Sequence, residues 1–284
     1  METIGFVGLG NMGSVLATNL VGRGYSVVAH DADVAKCAPD GLRRVPSVAE
    51  VARDVAVVVL SLPDGAASEA VVGEIVGAAS RRTTHVVDTS TIGVRTAAVL
   101  ADVLGGAGLS YVDAPVSGGV AGAKARTLAV MYAASDDACV RVEPVLAGLS
   151  DCRYRVGTRP GMAQAMKLAN NFLSATTLAA TSEAIAFGVA EGLDMATMLE
   201  VLNASSGRSA ATGDKFPNHV LTGKYAAGFT NSLMIKDLRL YLHAVEERDG
   251  PATVGAVTAS IWEQFADAEP GADFTRIYPF VESS

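Results

Sequence analysis

Lys167 is the residue whose type and setting point most directly to chemistry in this chain of 284 residues. It stands in an apolar, alanine-rich run, with Asn170 and Asn171 three and four positions on. On a helix these amides share its face, with Ser174 one turn further. Two adjacent amides on such a face are costly unless they meet polar partners. A lysine partly desolvated beside them has its pKa lowered, which suits acid–base work. The structural alternative is a lysine snorkelling from an apolar helix to solvent.

A second constellation opens the chain. Ile4-Gly5-Phe6-Val7 runs into Gly8-Leu9-Gly10-Asn11-Met12-Gly13, and a helical pattern follows through Val15, Leu16 and Leu20. This is the strand–turn–helix of a dinucleotide-binding fold. Gly8 permits the tight turn, Gly10 lets the backbone approach a pyrophosphate, and Gly13 lets the helix pack on the strand. The helix N-terminus then faces the pyrophosphate. Tyr25–Ala29 reads as the second strand, and Asp31 at its end takes the place of a ribose ligand.

The elements that must position these residues alternate strand and helix over the first 155 or so positions. Val55–Leu60 is a continuous apolar strand of the kind buried on both faces, and Ser47 with Glu50 forms a capping box before it. Further strands are read at His85–Asp88, Tyr111–Asp113 and Thr127–Met131, with helices between them and one from Val140 to Leu149. The fold class is therefore α/β, a mainly parallel, doubly wound sheet. Ser61-Leu62-Pro63-Asp64, Thr89-Ser90-Thr91 and Ala114-Pro115-Val116-Ser117-Gly118-Gly119 each follow a strand, so they share the carboxyl edge with the glycine turn. After Gly157 the pattern turns helical. Met162 to about Glu191 reads as one helix of about 45 Å, with helices at Met195–Ala204, Thr230–Glu247 and Pro251–Ala268. The division is a dinucleotide-binding domain over 1–160 and a helical substrate and oligomerisation domain over 161–284.

Composition narrows the function classes. Half the residues are hydrophobic and 6% aromatic, and the net charge is −8, which argues against a nucleic-acid partner. The long helix is apolar, but Gln164, Lys167, Asn170, Asn171 and Glu183 interrupt it, which argues for burial over a membrane span. Cys37, Cys139 and Cys152 are odd in number and widely spaced, and the four histidines are scattered, so no metal is expected and a reducing compartment is. The first apolar run is too short and glycine-rich for a signal peptide, and a cytoplasmic location is expected.

Four separated motifs covering nearly the whole chain resemble those of the β-hydroxyacid dehydrogenases, the group that includes 3-hydroxyisobutyrate dehydrogenase. Gly5 through Gly13 looks like the cofactor motif and Asp113 through Gly119 like the substrate motif. Gly161 through Asn171 looks like the catalytic motif, and Phe229 with Leu233, Lys236, Asp237 and Leu238 like the late motif. The resemblance implies a Rossmann domain and a helical domain joined by the long helix, and a homodimer or homotetramer. It implies reversible hydride transfer between a nicotinamide cofactor and a short 3-hydroxy acid, and Asp31, whose charge would repel a 2′-phosphate, predicts NAD rather than NADP. Lys167 would be the general acid–base. Ser117, Gly118 and Gly119 would hold the carboxylate, with Asn170, Asn171 and Phe229 also at the substrate. Leu62, Pro63, Ser90, Thr91, Lys236 and Asp237 would join Gly8–Gly13 and Asp31 at the cofactor. Arg126 stands where many members have glycine, Ile92-Gly93-Val94 lacks a usual proline, and Ala163 replaces a second glycine. Arg126 could thus alter the substrate loop or add a charge near it. The rival enzyme is a reductase of small aldehydes such as tartronate semialdehyde, glyoxylate or succinic semialdehyde. The rival of another class is a non-catalytic dinucleotide-binding scaffold.

Overall fold

The computed structural model describes residues 2–36 and 39–283, so Cys37 lies outside the described residues. Cys139 and Cys152 are free thiols. The chain forms two compact units, Met1–Lys167 and Leu168–Ser284.

In the first unit the elements are β1 (Thr3–Val7), α1 (Asn11–Gly22), β2 (Ser26–His30), β3 (Leu42–Arg44), α2 (Val48–Asp54), β4 (Val57–Leu60), α3 (Gly65–Gly77) and β5 (His85–Asp88). They continue with α4 (Val94–Gly106), β6 (Ser110–Asp113), β7 (Val116–Ser117), α5 (Gly119–Lys124), β8 (Ala129–Ala133), α6 (Asp136–Leu149) and β9 (Arg153–Gly157). The sheet order is β3-β2-β1-β4-β5-β6-β8-β7, with β9 on β8. Strands β1 to β6 pair in parallel, while β8 runs antiparallel to β6 and β7. The reversal about β1 and β4 is the topological switch of a doubly wound sheet.

Alternation along the central strands builds two cores, one on each face. Ile4, Phe6, Val57, Val59 and Val87 pack with Leu16, Leu20, Val142 and Leu146 on one side. Val7, Val58, Leu60 and Val86 pack with Val51, Val72, Ile75 and Leu100 on the other. This two-sided burial is why β4 reads as an unbroken Val/Leu run. Ser47 caps α2 by accepting the Glu50 N–H.

The second unit holds most of α7 (Met162–Ala190), then α8 (Met195–Asn203), a π-helical segment (Ala211–Val220), α9 (Asn231–Glu246), α10 (Thr253–Ala268) and the short α11 (Ile277–Glu282). Its core joins Ala175, Leu178, Ala179 and Ile185 of α7 to Leu238 of α9 and to Trp262 and Phe265 of α10. The Trp262 indole N–H donates to the Ala175 carbonyl, so the polar atom of that buried ring is satisfied. Among the described residues α7 is the one helix long and apolar enough to cross a membrane; its contribution to this core is a reason for the apolar character.

Candidate active site

The turn after β1 is built as its glycines require. Gly8 has φ +97°, and a Cβ there would lie 2.3 Å from the Ser61 carbonyl oxygen. A Cβ on Gly13 would lie 2.0 Å from the Gly8 oxygen. A Cβ on Gly10 meets nothing within 4 Å. Gly8 and Gly13 are thus glycines for the protein's own packing, whereas no atom of the described residues fills the space over Gly10. Gly10 is also the N-cap residue of α1, and with glycine there no side chain caps that helix. An uncapped N-terminus with open space over its N-cap residue suits a pyrophosphate in charge and in room, so the residues present fit a dinucleotide.

The neighbouring loops brace this turn. Asp31 accepts the Leu9 N–H at 2.5 Å and the Asp33 N–H at 2.8 Å. Ser90 accepts the Leu62 N–H through its hydroxyl at 2.8 Å, tying the loop after β4, with Pro63, to the loop after β5, with Thr91. Both arginines of the neighbouring strand β3 are engaged. Arg43 pairs with Asp54, and Arg44 donates to the carbonyls of Asp31, Asp33, Val34 and Lys36.

After β6 the chain makes the two-residue strand β7, where Ser117 faces Ala129 of β8. Gly118 (φ +130°) and Gly119 (φ +66°) then turn it into α5. The reading of this stretch as a loop is thereby corrected: Val116–Ser117 gains strand pairing, and Gly119 is already helical. Arg126 stands at φ +60° and points to α6, donating to the Ala147 and Gly148 carbonyls and pairing with Asp151 at 3.0 Å. Its charge complements the C-terminal end of the α6 dipole.

Lys167 is 7% exposed on α7, and Asn171, one turn further on, is 6% exposed. In the second unit the Asn171 amide donates to Asp237 Oδ2 at 2.6 Å and accepts from Asn170 at 3.1 Å. The Lys236 ammonium lies 3.0 Å from Asp237 Oδ1. Asp237 is itself buried, so its carboxylate holds the amide in one orientation. Phe229 sets its ring edge-on to Phe274 at 5.7 Å.

Asp113 and Gln164 have no individual role by sequence, yet together they tie the end of β6 and the loop after β5 to the start of α7. Asp113 Oδ2 accepts the N–H groups of Gly161 (2.8 Å), Ala163 (3.1 Å) and Gln164 (3.1 Å), capping α7 from the end of β6. Gln164 Nε2 donates to Asp113 Oδ1 (2.7 Å) and to the Ser90 carbonyl (3.0 Å). Its Oε1 accepts from Ile92 (2.9 Å) and Gly93 (3.1 Å). Burial outweighs these donors and pushes the Asp113 carboxyl up to about 6.

Residues 3–157 match the family model described as the NAD binding domain of 6-phosphogluconate dehydrogenase. Residues 161–281 match the one described as NAD-binding of NADP-dependent 3-hydroxyisobutyrate dehydrogenase. The 2-(hydroxymethyl)glutarate dehydrogenase of Eubacterium barkeri is 37% identical, the match covering 92% of this chain and 88% of that protein. The 3-hydroxyisobutyrate dehydrogenase of Pseudomonas aeruginosa is 33% identical, covering 98% and 97%. The structure of the Mycobacterium tuberculosis 3-hydroxyisobutyrate dehydrogenase with L-serine superposes with a TM-score of 0.92 at 31% identity, covering 99% of both chains. The chain is an NAD(P)-binding oxidoreductase acting on CH–OH groups, and it belongs to the β-hydroxyacid dehydrogenase family, of the 3-hydroxyisobutyrate dehydrogenase type.

Proposed function

We propose that the protein catalyses reversible oxidation of a short 3-hydroxy acid with NAD, and that Lys167 is its general acid–base. The observation carrying this reading is a lysine 7% exposed on an apolar helix, one turn before an amide that Asp237 holds in a single orientation. The compounds named with its relatives and neighbours, 3-hydroxyisobutyrate, 2-(hydroxymethyl)glutarate and L-serine, share one unit. Each carries a primary alcohol on a carbon next to the one bearing the carboxylate, and they differ in the remaining substituent. That unit defines the proposed substrate class, and the product is the corresponding semialdehyde. Reduction of a small aldehyde is the same reaction in reverse.

In this reading the Ser117 hydroxyl and the N–H groups of Gly118 and Gly119 bind the substrate carboxylate, with Asn170 and Phe229 beside it. Asn171 orients the reacting oxygen. Lys167 Nζ takes the hydroxyl proton on oxidation and returns it on reduction. Bound nicotinamide supplies the hydride acceptor and donor. Gly8 through Gly13, Asp31, Leu62, Pro63, Ser90, Thr91, Lys236 and Asp237 are assigned to the dinucleotide. Asp31 supports NAD over NADP, because a carboxylate repels a 2′-phosphate and both neighbouring arginines already have partners. The dinucleotide function is assigned to 1–160, and substrate binding with self-association to 161–284. The free thiols Cys139 and Cys152 support a reducing, cytoplasmic setting.

The test is turnover of the three hydroxy acids with NAD and NADP, followed by nicotinamide absorbance, in wild type and in two variants. Lys167→Ala should lower kcat by roughly two to four orders of magnitude while leaving NADH binding unchanged. Lys167→Arg should fail as well, because a guanidinium stays protonated. Retention of most turnover by Lys167→Arg would remove the acid–base role from this residue.

A further inference from the structure

Gln164 makes four hydrogen bonds, the full capacity of a primary amide. Its orientation is therefore fixed. A flip would set its NH2 against the Ile92 and Gly93 N–H groups, and its oxygen against the Ser90 carbonyl and Asp113. The residue is fully buried, where an amide short of partners costs free energy that an alanine or leucine would not. A helix start can also be capped by a local Ser, Thr, Asp or Asn. Here the α7 start takes its acceptor from Asp113, 48 residues before Gly161. Such a long-range cap adds something that a local one does not: it fixes where the helix begins relative to β6.

The amide then ties the same helix turn to the Ser90–Gly93 backbone, and Ser90 is in turn bonded to Leu62. Lys167 follows Gln164 by three positions, within one helical turn, and lies at the end of the same compact unit. From this network, and resting on the reading of Lys167 as the acid–base, we infer that Gln164 and Asp113 are a positioning pair that sets Lys167 against the Ser90–Gly93 loop. Neither residue touches the reacting atoms. The pair acts through the register of the helix start.

Gln164→Met keeps the volume and removes all four bonds. The kcat should fall by roughly ten- to a hundredfold, the effect of a reacting group displaced by about 1 Å. The KM for the hydroxy acid should stay within about twofold, since the Ser117–Gly119 carboxylate contacts are untouched. Amide exchange should quicken at Ile92, Gly93 and Gly161–Gln164, a readout that needs no substrate. Gln164→Glu covers the case in which the methionine variant does not fold. It keeps the acceptor for Ile92 and Gly93 but turns a second oxygen towards Asp113. It should lose kcat likewise, and Asp113→Asn added to it should recover about tenfold by donating to the new carboxylate.

Three outcomes separate the ideas. A wild type that oxidises no hydroxy acid, or an active Lys167→Ala, defeats the enzymatic reading and the inference with it. An active wild type and a dead Lys167→Ala, with Gln164→Met at wild-type kcat, defeats the inference alone. So does a Gln164→Glu defect that Asp113→Asn does not relieve. A selective fall in kcat with rescue supports the pair.

Discussion

Asp31 and Asp113 both stand at strand ends, and their surroundings give them opposite work. Asp31 is half-exposed and keeps its side chain beside the glycine turn, where it accepts the backbone N–H groups of Leu9 and Asp33. Replacing it with Asp31→Ser and Ala32→Arg should move the kcat/KM ratio towards NADP, and wild type should favour NAD. Equal or better efficiency of wild type with NADP would reverse the assignment. Asp113 is buried, and its carboxyl is pushed up to about 6. Between the unfolded value near 3.8 and about 6 the folded protein therefore holds more protons than the unfolded one. The stability from this raised pKa is complete below the lower value and is lost as pH rises to the upper one. The loss is on the order of 2–3 kcal/mol. Urea midpoints measured across that window should fall more steeply with rising pH for wild type than for Asp113→Asn. Parallel slopes would show that this carboxyl does not titrate there.

At the scale of the element, the strand–turn–helix at the N-terminus separates packing from binding. Gly13→Ala drives a methyl into the Gly8 carbonyl and should cost about 2 kcal/mol or more in stability. Gly10→Ala meets no atom of the described residues, so thermal stability should stay close to wild type. Its methyl would occupy the space over the helix start, and NADH affinity should fall roughly tenfold or more, a loss of about 1.4 kcal/mol. Calorimetry on both variants would detect an exchange of those two outcomes, which would remove the dinucleotide from this turn. The same turn was legible in the sequence because its signals are local: an apolar strand, spaced glycines and a helix start. The central strands were legible for the same reason, being Val/Leu runs buried on both faces. β3 and β9 were not, because Leu42–Arg44 and Arg153–Gly157 carry charged residues and take strand form only by pairing with β2 and β8. The π-helical Ala211–Val220 was hidden too, since Gly213 and Pro217 break the pattern. Arg126 shows how far local reading goes. Its type marked it as unusual, but its destination, the last carbonyls of α6, is 21 and 22 residues away. Asp113 and Gln164 were masked alike, an acid ending a strand and an amide in an apolar helix, 51 positions apart.

For the whole molecule the open matter is what covers the helical unit's apolar surface. The residues of α7 that enter the core, Ala175, Leu178, Ala179 and Ile185, form one stripe. Another stripe of the same helix reads Leu173, Thr177, Ala180, Ala184 and Phe187, spaced by four and three in alternation. Leu173 is 59% exposed and Phe187 70%, while Ala180 and Ala184 between them are exposed small residues. Large side chains at the ends and alanines in the middle, on a heptad spacing, suit close approach of a second helix. Leu193 and Val201 add further exposed apolar area nearby in the chain. A second copy of this chain is the occupant that needs no other partner, since a two-fold interface uses the same patch twice. The expected state is a homodimer or homotetramer at micromolar concentration. Phe187→Glu places a charge at one end of the proposed contact, on a residue assigned no part in the chemistry. Sedimentation should show the wild type as an oligomer and this variant shifted to a smaller species with its circular dichroism preserved. A fully active wild-type monomer, or an oligomer untouched by Phe187→Glu and by Leu173→Glu, would move the contact off this helix.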